Sequence, residues 1–215
     1  MKGLARYSPL ALAVLALLSE APMHPYRMQQ LIKQRGKDEV INVRQRASLY
    51  QTIERLLRDG LIVAQETTRA ERRPERTIYA LTDRGRETVG AWLRAMLSRP
   101  AHEFPAFPAA IAYLPLLTPE DALRQLETRL GALEEEQARL DSQLDSVGPV
   151  LPRLFLLETE YLRAMLNAEL AWVRCLVDDL RAGRLTWSEE WLRRFTEAVA
   201  PPETTEEERI MTREQ

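Results

Sequence analysis

The chain has 215 residues, of which 45% are hydrophobic and 29% are charged, and its formal net charge at pH 7 is −2. This composition is typical of a soluble, helix-rich globular protein with one large domain or two modest ones. It contains a single cysteine, which excludes an internal disulfide and favours a reducing compartment, so we expect a cytoplasmic protein.

The charge is divided unevenly along the chain. Residues 1–99 contain 18 Lys and Arg against 10 Asp and Glu, whereas residues 100–215 contain 12 against 22. A basic first half followed by an acidic second half favours a polyanionic partner for the first half alone.

The first predicted helix spans about residues 9–19 and is apolar on nearly all faces. Ser8 suits its N-cap and Pro9 its first position. Lys2 and Arg6 ahead of this run also imitate a short secretory signal. We favour a buried helix, because the next sixty residues need one to complete a small bundle. The run is also too short to span a bilayer, so no membrane partner is expected.

The next elements predict a winged helix-turn-helix. Helices are expected over about 25–35 and 47–59, ended by Gly36 and Gly60. Residues 62–68 and 76–81 predict two strands joined by a polar connection, and Thr82 caps a helix over about 83–98. Three helices followed by a two-stranded hairpin is the element order of that fold.

The third helix has the pattern of a helix that enters the major groove of DNA. Such a helix needs polar side chains outside and apolar ones inside. Positively charged side chains ahead of the helix and in the wing suit phosphates. The predicted DNA-binding residues are Tyr26, Arg44, Arg46, Ser48, Tyr50, Gln51, Arg55, Arg72, Arg73 and Arg76. The alternatives are that the wing arginines only solubilise a turn and that Tyr50 and Tyr26 pack against the core.

Three segments, in order and correctly spaced, resemble the PadR-like regulators. They are residues 17–26 (LLSEAPMHPY), the pair 48–50 (SLY) and 55–62 (RLLRDGLI), and residues 76–85 (RTIYALTDRG). The resemblance covers residues 9 to about 98. Pro25 is a departure, since the family usually has glycine before this tyrosine, and we expect only a local change there. The resemblance implies a homodimer that binds a partly palindromic operator, usually as a repressor relieved by a small molecule.

The second half predicts a helical arm. Residues 100–117 favour a short packed helix and turns, because their large apolar side chains need burial. A helix over about 119–146, capped by Thr118, repeats leucines at alternating steps of three and four, with a polar interruption at Gln137. Part of this seam is expected to face a second chain. The predicted dimer residues are Leu126, Leu130, Leu133, Leu140 and Leu144.

Two more helices complete the arm. One is predicted over about 151–182, with Leu154, Leu157, Tyr161, Met165, Ala168, Trp172 and Leu176 on one face, and the last over about 187–199. Cys175 lies among apolar neighbours and is expected to be a buried structural thiol. Residues 201–215 are acidic and polar, and are expected to be disordered.

A hydrophobic effector site follows from the resemblance. In PadR-like proteins that bind such effectors, the ligand lies between the DNA-binding domain and the arm, against the fourth helix. Here that position corresponds to Trp92, Leu93 and Met96. The alternative is that these side chains simply join the two domains.

The resulting prediction is a mostly α protein with a small two-stranded wing. Residues 1–99 form a winged helix-turn-helix domain, 100–200 a helical dimerisation and effector domain, and 201–215 a tail. The expected function is transcriptional regulation through double-stranded DNA. The alternative is a winged-helix interaction or architectural module without ligand control. No enzymatic motif, cofactor or metal-binding pattern is recognised in the sequence.

Overall fold

The computed structural model describes residues 8–43, 46–68 and 76–199, and of residues 46, 66–68 and 76 it describes the backbone alone. The chain divides into two compact units, residues 1–103 and 104–215, which we call the head and the arm. This division lies close to the predicted boundary after residue 99. The predicted tail lies outside the described residues.

The head contains the helices and strands in the expected order. They are α1 (Pro9–Glu20), α2 (Pro25–Gln34), α3 (Arg46–Arg58), β1 (Ile62–Thr68), β2 (Arg76–Leu81) and α4 (Asp83–Ser98). The Ser8 hydroxyl accepts a hydrogen bond from the Ala11 amide at 3.2 Å, as expected of an N-cap. Gly36 and Gly60, which follow α2 and α3, adopt left-handed φ values of 64° and 67°.

The two strands form an antiparallel hairpin. Ile62 pairs with Leu81 and Thr68 with Arg76, with an irregularity between Ala64 and Glu66. An isolated bridge adds Met23, from the turn before α2, to the other side of β2 at Tyr79. The wing is therefore tied to the beginning of α2 as well as to the end of α3.

The head core is formed by the inner faces of its four helices and the base of the hairpin. α1 contributes more buried residues than any other element of the head, since this helix is apolar on nearly all faces. Met28 and Ile32 from α2, Ile53 and Leu56 from α3, and Trp92 from α4 complete it. Each of these side chains is at most 2% exposed, so this core is closed within one chain.

The arm consists of two long helices and two shorter ones. They are α5 (Ala106–Ala112), α6 (Pro119–Val147), α7 (Leu157–Arg181) and α8 (Glu189–Val199). The Thr118 hydroxyl accepts from the Asp121 amide, so the predicted cap of α6 is confirmed. The expected start of the next helix at residue 151 is wrong. Pro152 precedes a short 3₁₀ turn over Arg153–Phe155, and α7 begins only after it.

α6 and α7 pack as an antiparallel hairpin. Leu126 of α6 and Val173, Val177 and Leu180 of α7 form a buried cluster between the two helices. Ion pairs join the two helices along one side of the hairpin, and the residue numbers of the pairs rise along α6 while they fall along α7. They are Glu127–Arg181 at 2.7 Å, Glu134–Arg174 at 2.8 Å and Asp141–Arg163 at 2.6 Å. Gln137, the polar interruption of the seam, donates to Asn167 across the same interface at 2.8 Å.

The apolar face predicted for α7 is largely the exposed one. Tyr161, Met165 and Trp172 are 64%, 54% and 47% exposed, whereas the buried residues of α7 include Leu170, Val173 and Val177. The prediction that Cys175 is buried is wrong, since it lies on the exposed side of the helix. α7 carries two apolar stripes, and the stripe rich in Leu and Val packs on α6.

The segment before α6 is only partly packed. Phe107 and Ile111 of α5 pack against the hairpin core, as the expectation of a short packed helix requires. Phe104, Tyr113 and Leu116, for which burial was also expected, are instead 89%, 70% and 84% exposed. Among the described helices, none combines the length and apolarity needed to cross a membrane.

Candidate nucleic-acid interface

One side of α3 is open to solvent along its whole length. Its exposed side chains are those of Ala47, Tyr50, Gln51, Glu54 and Arg58, which we call the α3 stripe. The opposite side is fixed in the head core, where Leu49, Ile53 and Leu56 are 2%, 1% and 0% exposed. α3 therefore presents a polar stripe on a backbone that the core holds in place, as a recognition helix requires.

Two of the predicted α3 contacts lie off this stripe. Ser48 is half-buried, and its carbonyl accepts from the Thr52 hydroxyl at 2.7 Å. The Arg55 guanidinium donates to the hydroxyl of Ser8, the N-cap of α1, at 3.2 Å. Because Arg55 lies five residues after Tyr50, it is rotated about 140° from it around the helix axis. Arg55 thus connects α3 to α1 within the head.

Sequence reasoning omitted Glu54 and Arg58, which do lie on the stripe. The signal that could have found them is helical spacing, because Glu54 lies three residues after Gln51 and Arg58 four residues after Glu54. Glu54 introduces a negative charge among the polar groups of the stripe. A carboxylate there can accept a hydrogen bond from the amino group of a cytosine and repels phosphates.

Tyr79 connects the α3 stripe to the wing. Burial raises the pKa of its phenol, and the nearby Tyr50 and Glu54 raise it further. The phenol is therefore neutral at physiological pH and can donate a hydrogen bond. The Met23 amide donates to the Tyr79 carbonyl at 3.0 Å, and the Tyr79 amide donates back at 3.1 Å. These bonds place the beginning of α2 beside the base of the wing.

Tyr26 lies in the first turn of α2 and is 52% exposed, so its hydroxyl is accessible. Nδ1 of His24 accepts from its amide at 3.1 Å and caps the helix, and Pro25 is buried at the first helical position. The proline that departs from the family pattern therefore fits the helix start without disrupting it.

Several predicted contacts have no described side chain. Arg44, Arg72 and Arg73 lie outside the described residues. Arg46 and Arg76 begin α3 and β2, and only their backbone is described. Their assignment to DNA stays a prediction.

A tight junction sets the angle at which the wing leaves the head. The Thr82 hydroxyl donates to the carbonyl oxygens of Gly60 and Leu61, which lie 2.9 and 3.0 Å away and share its hydrogen. The same hydroxyl accepts a hydrogen bond from the Gly85 amide at 3.0 Å. A Cβ atom on Gly85 would lie 2.1 Å from the Leu61 carbonyl oxygen. Only glycine fits at this position. This gives a physical reason for the glycine at the end of the family-like segment 76–85.

Comparison with known families identifies the head. Residues 14–91, which include α2, α3 and both strands, match the model of the transcriptional regulator PadR-like family. This part of the head is a PadR-like domain. The resemblance in the sequence is thereby confirmed, and the function of such a domain is that of a DNA-binding transcriptional regulator. A family of regulators also agrees with the expectation that the chain is not an enzyme.

Solved structures extend the likeness beyond this PadR-like domain. Bacillus subtilis PadR in complex with operator DNA has 16% identity and a TM-score of 0.64, over 82% of this chain and 99% of that one. The same protein with p-coumaric acid has 14% identity and a TM-score of 0.60, over 81% and 98%. The Vibrio cholerae virulence activator AphA has 18% identity and a TM-score of 0.59, over 80% and 98%. At these identities the likeness shows the fold. No curated protein sequence matches the chain.

The predicted effector residues of the head differ in exposure. Trp92 is 2% exposed in the head core, Leu93 is 42% exposed, and Met96 is half-buried. The burial of Trp92 favours the alternative of core packing for that side chain. Effector binding at Leu93 and Met96 stays a prediction.

The predicted dimer residues lie in the seam between α6 and α7. Leu126 and Leu140 are 4% and 2% exposed within a single chain, and Leu130, Leu133 and Leu144 are half-buried. The seam is largely covered by α7 without a partner. A role of these leucines in dimerisation stays a prediction, and the single chain leaves little of them for a partner to contact.

Proposed function

We propose that this chain is a homodimeric repressor that binds a partly palindromic operator and releases it when a hydrophobic small molecule binds. The observation that carries this proposal is the α3 stripe, a polar helix face held by the core beside the base of the wing. The match of the head to a family of transcriptional regulators supports it.

In this proposal the α3 stripe enters the major groove. Gln51 can form two hydrogen bonds with an adenine edge, and the exposed methyl of Ala47 can contact a thymine methyl. Tyr50 and Tyr26, both about half exposed, can donate to phosphate oxygens and so position the helix. We assign the arginines among residues 69–76 to the phosphate backbone of the DNA beside the groove.

Dimerisation supplies the second half-site. Two heads held at a fixed distance bind a palindrome with an effective concentration that a lone head lacks. The exposed apolar surface of the arm supports this assignment, because single soluble chains rarely leave so much of it uncovered.

Release by a small molecule is the third part of the proposal. Bacillus subtilis PadR, which has the same fold, is known in complex with operator DNA and with p-coumaric acid. The exposed side of α4 at Leu93 is the proposed contact here. By thermodynamic linkage, an effector that lowers operator affinity must bind the operator complex less tightly than it binds the free protein, and by the same factor.

The test begins with genomic fragments that the full-length protein selects in a binding experiment at several salt concentrations. Tyr50→Ala should weaken binding to the selected fragment by about 1–3 kcal/mol without loss of helicity by circular dichroism. Tyr113→Ala, at an exposed tyrosine of the arm, is the matched control and should leave affinity unchanged. Equal affinity of both variants would remove the α3 stripe as the DNA surface.

The sign of regulation needs a second experiment. A reporter gene behind the selected fragment should be silenced by the protein and restored by the effector. Activation of the reporter would overturn the repressor assignment. This outcome is worth testing because AphA, which has a similar structure, is a virulence activator. If the protein binds all fragments equally at every salt concentration, the architectural alternative is supported instead.

A further inference from the structure

Part of the exposed surface of α7 has no charged side chain between Tyr161 and Cys175, and the exposed Arg163 and Arg174 lie beside it. Seven residues lie on it, which we call the α7 stripe: Tyr161, Ala164, Met165, Ala168, Ala171, Trp172 and Cys175. At 1.5 Å per residue the stripe is about 21 Å long. A solvated helix face of this length normally carries charges, so the stripe has the composition of an interface.

The arginines that border the stripe are bound elsewhere. Arg163 contacts Asp141 at 2.6 Å, and Arg174 contacts Glu134 at 2.8 Å. Both carboxylates belong to α6, so these pairs draw the two guanidinium groups toward the seam of the hairpin. The α7 stripe between them is left apolar.

The order of side-chain sizes in the stripe is the unusual feature. Ala168 lies at the midpoint of the stripe, seven residues from Tyr161 and seven from Cys175. A residue and its counterpart at equal distance from Ala168 always differ in size. Trp172 corresponds to Ala164, Met165 to Ala171, and Tyr161 to Cys175.

We propose that the α7 stripes of two chains pack against each other in antiparallel fashion, with the two-fold axis at Ala168. This inference rests on the proposed homodimer and names its contact. In a two-fold interface, residue i of one chain contacts residue j of the other, and j contacts i. Each large side chain then lies opposite a small one, and Ala168 meets Ala168 of the second copy.

Other arrangements of two copies pack less well. Parallel helices would place Trp172 opposite Trp172 and Tyr161 opposite Tyr161, while the alanines between them would face a gap. An antiparallel pair shifted by one turn places Ala164 opposite Ala168 in one direction, which leaves a gap, and Tyr161 opposite Asp179 in the other, which lies outside the stripe. Close packing without voids favours the arrangement centred on Ala168.

Trp172 is ordered before a second chain arrives. Its ring packs edge-on against Phe107 of α5, with centroids 6.1 Å apart and planes at 81°. The Arg129 guanidinium lies 3.6 Å from the centroid of Phe107 on α5 and pairs with Glu169 of α7. A side chain held this way loses less conformational entropy on binding, which favours association.

The first test measures the oligomeric state of the full chain by sedimentation. Ala168→Arg should convert the dimer to a monomer at micromolar concentration, because it places two guanidinium groups together at the axis. Ala138→Arg makes the same change at an exposed alanine of α6 and should leave the dimer intact. A dimer with Ala168→Arg, or a monomer with both variants, overturns the proposed contact.

The second test uses disulfides as rulers. Under copper-phenanthroline oxidation Tyr161→Cys should cross-link to the native Cys175 of the second copy. Adding Cys175→Ser to that variant should abolish the cross-link, and Ala168→Cys with Cys175→Ser should link to itself. Absence of the first and third products in a dimeric protein would overturn the proposed contact and leave the homodimer intact. A wild-type monomer in sedimentation would overturn the homodimer itself.

Discussion

The head and the arm differ in where their large apolar side chains go. In the head, α1 and the inner faces of three other helices close a core in which Leu15, Met28 and Trp92 are at most 2% exposed. In the arm, α6 and α7 close one narrow seam, and most of the exposed large apolar side chains among the described residues belong to this unit. The head satisfies its apolar surface within one chain, whereas the arm covers only part of it.

In the proposed homodimer, this difference links stability to assembly in the arm alone. A unit whose apolar face is covered by a second chain gains stability from association and unfolds at a temperature that depends on concentration. The head should show no such dependence. Rigid placement of the α3 stripe thus needs one chain, and spacing of two heads needs two.

The largest expected effect is unfolding of the arm by the substitution Leu140→Glu. Leu140 is 2% exposed in the seam, and a carboxylate there has no partner, so the arm should lose about 4 kcal/mol of stability. Dimerisation and helicity should fall together, measured by sedimentation and circular dichroism. Ala138→Glu on the exposed side of α6 is the control and should change neither. An intact, monomeric Leu140→Glu variant would show that the seam itself faces a partner.

The next effect concerns the junction of the head. Gly85→Ala pushes a methyl group into the Leu61 carbonyl and should lower the free energy of unfolding of the head by about 3 kcal/mol in a denaturant titration. Gly90→Ala in the same helix has its nearest contact at 3.4 Å, on the flexible Arg94 side chain. It should stabilise the head by up to about 1 kcal/mol. Effects of equal sign would contradict the role given to the junction.

A smaller effect separates structure from DNA contact on α3. Arg55→Ala removes the hydrogen bond to Ser8 and should lower head stability by about 1 kcal/mol. Arg58→Ala, at an exposed position of the same helix, should leave stability unchanged. Thermal unfolding measures the first difference. An Arg55→Ala variant that keeps wild-type stability but loses operator affinity would restore this residue to the DNA surface.

The smallest effect is a gain in the arm. Gly131 lies in the middle of α6, and apart from its chain neighbours and the nearby backbone of the helix, no atom of the described residues lies within 4 Å of the position that its Cβ would take. Gly131→Ala should therefore raise arm stability by about 0.8 kcal/mol through helix propensity alone. The melting temperature of the arm should rise while that of the head does not change. A parallel rise in both would mean that the two units unfold together.

Local signals in the sequence predicted most of the fold. Helix ends depend on a few adjacent residues, so Ser8, Thr82 and Thr118 could be assigned as caps and Gly36 and Gly60 as ends. The order of elements in the head follows from those ends and from the strand composition of 62–68 and 76–81. The family resemblance rests on the same local segments, which is why the match to the family model confirms it.

The tertiary structure decided which faces are used. α7 carries two apolar stripes with the same alternating spacing, so periodicity cannot rank them. Only contact with α6 does, because Val173 and Val177 fill the gaps between its leucines and the ion pairs on the flank fix the rotation. On α3, Arg55 and Glu54 are adjacent polar residues, and only the tertiary structure brings Ser8 within hydrogen-bond distance of Arg55. Helix ends are local properties of a sequence, whereas the choice between two similar faces depends on residues far away along the chain.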